Sequence, residues 1–201
     1  MRKIPFAEKY HTGNPIYRYL ISHFIQQLIK FTDIIRPSSI LELGCGEGFL
    51  AIPLAQKGYR VRGIDLREDA VEFARKRSQK VGLEHLLSFE FGDINHLDLG
   101  VEYRADLVIC CEVLEHLESP NEALCTISRL APNAVLSVPR EPLWRILNMS
   151  RLKYLTRLGN TPGHINHWSK NEFLRLVGGK FTILDYSMPL PWTMVLCKPI
   201  D

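Results

Sequence analysis

A chain of 201 residues, 46% hydrophobic and 23% charged, is long enough to bury one full core without disulfides or metals. A formal net charge of +3 permits an anionic partner but does not ask for nucleic acid, which demands a concentrated basic face. The five cysteines, Cys45, Cys110, Cys111, Cys125 and Cys197, are odd in number, contain no CxxC and fit no zinc spacing. They therefore read as small buried hydrophobes in a reducing compartment, not as a disulfide framework.

Met1-Arg2-Lys3-Ile4-Pro5 lacks the apolar run of a signal peptide. No uncharged run further on approaches the ~20 residues that span a bilayer, so a cytoplasmic protein is expected. An amphipathic helix is predicted over 15–35, with Leu20, Phe24, Leu28 and Phe31 on one face and Pro37 ending it. Strand-like runs follow at 39–43, 60–64, 88–91, 106–111 and 134–138, separated by helical stretches at 50–56, 68–80 and 121–130. Short buried strands alternating with helices predict a doubly wound parallel sheet covered on both faces. Two more runs, 182–186 and 193–197, are joined by a link too short for a helical crossover and should pair as an antiparallel hairpin at one end of the sheet. The expected fold class is α/β, with seven mostly parallel strands in a single domain over 1–201. Residues 1–38 form its N-terminal cap, and 140–168 is an insertion on the substrate side.

The strongest local signal is Leu41-Glu42-Leu43-Gly44-Cys45-Gly46-Glu47-Gly48-Phe49-Leu50. A strand runs into a loop with glycine at every second position, and a helix follows. In an open α/β sheet this first turn lies at the carboxyl edge, where ligands bind at the switch in strand order. The dinucleotide fingerprint GxGxxG would place its third glycine at Phe49, so the pattern departs from it. Two carboxylates, Glu42 and Glu47, would also repel a pyrophosphate. They suit a ligand bearing an ammonium and a sulfonium.

ELGCGEG resembles motif I of the class I S-adenosylmethionine-dependent methyltransferases, whose glycines line the methionine and ribose portion of the cofactor. The other landmarks of that family follow in order. Asp65, with Leu66 behind it, is similar to the acid that accepts bonds from both ribose hydroxyls. Gly92-Asp93-Ile94 resembles the segment that takes the adenine amino group and stacks on the ring. The run from Asp106 through Glu112-Val-Leu-Glu115-His116-Leu is similar to the fourth strand and turn of the small-molecule subgroup that includes ubiquinone and menaquinone methyltransferases. The resemblance implies a Rossmann-like methyltransferase fold that binds S-adenosyl-L-methionine and releases S-adenosyl-L-homocysteine. It places Glu42, Gly44, Cys45, Gly46, Asp65, Leu66, Asp93 and Ile94 at the cofactor. In similar enzymes the N-terminal region folds over the cofactor, which adds Tyr10 and Arg18, the latter suited to a carboxylate. The competing readings are a helix cap for Asp65 and a frayed terminus around Asn14-Pro15.

Methyl transfer from a sulfonium is an in-line displacement, so alignment can carry much of the rate and a base is needed only when the acceptor must lose a proton early. Glu112 and His116 follow the fourth strand and are expected to face the acceptor. His164 and His167, in GNTPGHINHWS, either reach into the pocket or pack their loop before Ser169 caps a helix over 170–177. Those two histidines lack a third ligand close by in sequence, so no metal is expected. The absence of an Asn/Asp-Pro-Pro-Tyr/Phe turn argues against planar exocyclic amines as acceptors. Residues 143–158 place an apolar stripe beside Arg145, Arg151, Lys153 and Arg157 on one helix, read as a lid or, less simply, as a membrane or dimer contact. The expected reaction is methyl transfer to an O, N or C atom of a small, amphipathic molecule by a monomer or homodimer. The alternatives are a nicotinamide-dependent oxidoreductase and a non-catalytic cofactor-binding module.

Overall fold

The computed structural model describes residues 15–93 and 100–200. Its elements run α1 (Pro15–Ile35), β1 (Ile40–Leu43), α2 (Ala51–Gln56), β2 (Val61–Asp65), α3 (Glu68–Lys80), β3 (Leu87–Phe91), β4 (Leu107–Cys111), α4 (Pro120–Leu130), β5 (Ala134–Pro139), α5 (Leu143–Ser150), α6 (Lys170–Gly178), β6 (Phe181–Ser187) and β7 (Trp192–Pro199). One seven-stranded sheet has the order β3-β2-β1-β4-β5-β7-β6. Strands β1 to β5 are parallel, and β7 lies antiparallel between β5 and β6. The terminal hairpin inferred from the short 187–191 link is therefore present, with its second strand on the inside.

Side-chain alternation along each strand divides the core into two layers. Ile40, Leu107, Ile109, Val135, Met194 and Leu196 face the layer formed with α1, α2 and α3. Leu41, Leu43, Val108, Cys110, Leu136 and Val195 face α4 and α6 on the other side. With both faces buried, β4 reads as an unbroken apolar run, and β1 and β5 are each interrupted by one buried polar residue, Glu42 and Ser137. Glu42 follows the same alternation, so its carboxyl turns toward the α1–α3 side and is buried there.

Local chemistry fixes the helices. α3 opens on Glu68 and Asp69 and closes on Arg77 and Lys80, matching the helix dipole at both ends. Its cap position is Arg67, which leaves Asp65 for other partners. α4 starts with Pro120 in its first turn, and α6 begins with a capping box between Ser169 and Glu172. On α1, Phe24, Leu28 and Phe31 are buried at helical spacing.

The insertion departs from the single helix expected over 143–158. α5 stops at Ser150, and a short 3-10 turn spans Leu155–Arg157. Leu152, Tyr154 and Leu158 adopt left-handed φ values of 55°, 55° and 48°. The chain then folds back over Asn148, whose buried amide Nδ2 donates to the Gly159 carbonyl at 2.9 Å and to Thr161 Oγ1 at 3.2 Å and is satisfied within the insertion. The subdomain is tied to the sheet where Arg140 bridges Trp168 and Glu141 N–H donates to the Trp168 carbonyl at 2.9 Å. Among the described residues no helix is long and apolar enough to cross a membrane.

Candidate active site

The carboxyl ends of β1, β2 and β4 open into a cavity of about 430 Å³, within the usual range for small-ligand sites. The turn after β1 forms one wall. Gly44 has φ +75°, and a Cβ there would collide with the Val113 side chain, so only glycine lets the β1 turn pass under the β4 turn. Gly46 has φ +52° and open space where its Cβ would be. Its N–H donates to Asp65 Oδ2 at 2.7 Å, while Asp65 Oδ1 accepts from Arg67 N–H at 2.9 Å. Both carboxylate oxygens are thus held in place at the cavity wall. From α3, Arg77 donates to the Glu47 carbonyl at 2.9 Å and lies over the Phe49 ring, fixing the far end of the loop.

Glu42 is the electrostatic centre of this half. It is 2% exposed, accepts from Ala51 N–H, and has Oε2 buried without a hydrogen-bond partner among the described residues. Burial, reinforced by the nearby Asp65 charge, pushes its carboxyl up to about 8. An orphaned buried carboxyl oxygen at a cavity wall fits a ligand ammonium, and the open space over Gly46 fits a ligand edge lying on bare backbone. Leu66, Gly92 and Asp93 complete this wall, with the Leu66 side chain 59% exposed at the rim. Cys45 also lines the cavity, but burial and then Glu42 and Asp65 drive its thiol pKa strongly upward, so it packs and does not act as a nucleophile. Ile94 and Tyr10 lie outside the described residues.

The opposite half is built from α1, the turn after β4, the insertion and β7. Tyr17, Ile21, Phe24, Trp144 and Trp192 supply an aromatic and aliphatic wall. Phe24 meets Trp192 edge-on at 4.9 Å, and Trp144 lies 6.0 Å from Trp192 and stacks on His164 at 5.9 Å. Trp192 Nε1 is buried with no hydrogen-bond partner among the described residues. From the insertion, the Arg151 guanidinium lies 6.0 Å over the Tyr17 ring and ties the insertion to α1. Arg18, one residue further along α1, points away and is exposed, because one step on a helix turns the side chain about 100°.

Three acceptor-side residues expected from the sequence line the cavity. Glu112 sits at the end of β4 with φ +60°, and Ser137 Oγ donates to its Oε1 at 3.5 Å. His116 and His164 meet at right angles with ring centroids 4.8 Å apart. His167 instead turns outward, exposed, with Nε2 2.7 Å from Asn160 Oδ1. The i, i+3 pairing of His164 with His167 is therefore replaced by a pairing of His164 with His116. Glu115, 1% exposed, lies beside these two. Apart from Trp144, which falls in the 143–158 stripe read as a lid, the aromatic wall has no local sequence signature.

A 3-2-1-4-5-7-6 sheet with an antiparallel seventh strand, and a glycine turn bonded to an acid at the end of the second strand, together define the fold of the class I S-adenosylmethionine-dependent methyltransferases. The chain belongs to the methyltransferase domain family, which it matches over residues 36–171. It is 28% identical over 164 residues to the ubiquinone biosynthesis O-methyltransferase of Rickettsia canadensis, covering 80% of this chain and 66% of that protein. It is 34% identical over 129 residues to the putative methyltransferase YqeM of Bacillus subtilis, covering 60% of this chain and 51% of that protein. The chain thus spans about half to two thirds the length of these curated relatives. In fold it is similar to the magnesium protoporphyrin IX methyltransferase of Synechocystis PCC 6803 solved with bound S-adenosylhomocysteine. The TM-score is 0.72 at 22% identity, covering 98% of this chain and 93% of that one. The family match removes the nicotinamide-dependent alternative.

Proposed function

We propose that this protein transfers a methyl group from S-adenosylmethionine to a hydroxyl oxygen of a small, largely apolar and aromatic molecule. The carrying observation is the division of the cavity. One half is glycine backbone and fixed carboxyls, and the other is a wall of Tyr17, Ile21, Phe24, Trp144 and Trp192 with Glu112, His116 and His164 among them. An aromatic wall favours a flat apolar acceptor. A few polar groups set into it favour one that carries a hydroxyl.

In this reading Glu42 holds the ammonium of the donor's methionine portion, and Asp65 accepts from the ribose hydroxyls. Bound S-adenosylmethionine supplies an electrophilic methyl carbon and keeps the electron pair of the C–S bond as the methyl leaves. The aromatic wall clamps the acceptor so that its oxygen lies in line with that bond, and exclusion of water by the lid sharpens every charge inside. The oxygen donates a lone pair to form the new C–O bond, and its proton passes to the Glu112 carboxylate and then to solvent. Support for oxygen as the acceptor atom comes from a base-capable carboxylate in the cavity and from the O-methyltransferase relatives. The five free cysteines favour a cytoplasmic location, and the modest charge favours no nucleic-acid partner.

The test is transfer of tritiated methyl from S-adenosylmethionine to a panel of phenols, catechols, indoles and sugars. Label appearing in an ether of a hydroxylated aromatic is the expected result. Label in an amine or at carbon would overturn the oxygen assignment. Binding of the cofactor with no transfer to native cell extract would favour a non-catalytic module.

A further inference from the structure

The turn after β4 and the loop before α6 are distant in the chain, yet they bring two imidazoles and a buried carboxylate to one point on the cavity wall. We propose that Glu115, His116 and His164 bind a single divalent transition-metal ion, which holds and acidifies the acceptor hydroxyl; this deepens the acceptor reading given above and rests on it. One ligand atom from each residue lies within 4.8 Å of the others. Ligand bonds of about 2.1 Å require separations of roughly 3–4 Å, so the side chains draw together when the ion binds.

The surroundings prepare the three residues for this role. The Ile165 and Asn166 N–H groups donate to the Glu115 carbonyl at 2.9 and 3.0 Å, and Asn166 Nδ2 donates to the Leu117 carbonyl at 2.6 Å. These bonds make the two ligand-bearing segments one unit. His116 Nδ1 lies 2.9 Å from the Gly163 carbonyl, which can only accept, so the proton is on Nδ1 and the lone pair on Nε2. A backbone carbonyl on the non-ligating ring nitrogen is the usual outer partner of a metal-bound histidine. His164 is held by stacking on Trp144. Glu115, with 1% exposure, gains more from a cation than an exposed carboxylate would.

The donor set decides the class of ion. Two imidazoles and one carboxylate suit zinc, manganese, cobalt or iron in the divalent state, whereas magnesium and calcium prefer all-oxygen sites. Three protein ligands leave positions open toward the cavity for an oxygen of the acceptor. There the ion lowers the pKa of the hydroxyl, so that a carboxylate as weak as Glu112 can take its proton. The oxygen then forms its bond to the methyl carbon as the C–S bond breaks, with the sulfur keeping the pair.

The test is titration of the chelator-treated full chain with cobalt(II), followed by visible d–d absorption and by quenching of tryptophan fluorescence, with S-adenosylhomocysteine binding measured on the same samples. The expected result is saturation at one equivalent, displacement by zinc, and weakening on the order of a hundredfold in both Glu115→Gln and His164→Ala. The control His85→Ala, exposed and remote, should bind as the wild type does. No saturable cobalt signal in protein that still binds S-adenosylhomocysteine would overturn the metal site and leave the methyltransferase reading standing. Equal cobalt affinity in Glu115→Gln and His164→Ala would overturn it as well. Loss of S-adenosylhomocysteine binding in the wild type would instead sink the reading beneath it.

Discussion

Glu42 shows how one side chain couples fold, charge and ligand. Its carboxyl is raised to about 8 against an ordinary value of 4.5, so the native state keeps a proton that the unfolded chain has already released above that lower value. The contribution of this group to stability is full at pH below 4.5 and is lost as pH rises toward 8. Glu42→Gln should therefore gain on the wild type between pH 5 and pH 7.5, by on the order of 2 kcal/mol in urea denaturation. A constant difference across that range would contradict the assignment. An ammonium arriving at Glu42 favours the ionised form, so cofactor binding at pH 7 should release a proton. Calorimetry in buffers of different ionisation enthalpy reads that proton directly, and Glu42→Gln should abolish it. Gly44 makes the steric counterpart. With φ +75° and the Val113 side chain in the way, Gly44→Ala should cost about 1–3 kcal/mol in the same denaturation experiment.

Among the elements, the insertion contributes Trp144, Thr161, Pro162 and His164 to the cavity wall. Inside it the buried amide of Asn148 donates to the Gly159 carbonyl, with Trp144 Nε1 donating to Thr161 Oγ1 at 2.9 Å beside it. Asn148→Ala leaves the Gly159 carbonyl without that donor, a loss of about 1–3 kcal/mol concentrated in the lid. Trypsin should then cut faster after Arg151, Lys153 and Arg157, while S-adenosylhomocysteine affinity changes by less than about twofold. Unchanged cleavage would mean that the lid is ordered from elsewhere.

The same contrast explains what could be read from the chain alone. The strands, α1, α3 and the terminal hairpin are local patterns, written in runs of apolar residues and in the length of the 187–191 link. The glycine-and-carboxyl wall of the cavity is nearly as legible, because Glu42, Gly44, Gly46 and Asp65 sit at fixed steps from two strand ends. The aromatic wall is not. Tyr17, Trp144 and Trp192 come from the beginning, middle and end of the chain; Trp144 falls in the 143–158 stripe read as a lid, whereas Tyr17 and Trp192 carry no signal of their own. The histidine spacing misleads for the same reason. His164 and His167 are neighbours in sequence, but the turn at Gly163 hands His164 to His116 and sends His167 to Asn160. Residues 143–158 keep a helical pattern that the fold overrides at Asn148.

At the scale of the whole molecule, a ligand seated at the carboxyl ends of β1, β2 and β4 touches the strands in the middle of the sheet. Binding there should stabilise the entire domain. S-adenosylhomocysteine at a hundred times its Kd adds about 2.7 kcal/mol, which for a chain of this size corresponds to a rise in Tm of roughly 5–11 °C. At the same ligand concentration the rise should fall to about half or less in Asp65→Ala, whose melting without ligand reports any structural damage separately.

The most direct test of the account is calorimetric titration of S-adenosylhomocysteine into the wild type and into Asp65→Ala. The account predicts one site per chain and a loss in the variant of roughly tenfold or more, the cost of removing a charged hydrogen-bond acceptor. A cooperatively folded wild type that takes up no S-adenosylhomocysteine would contradict it.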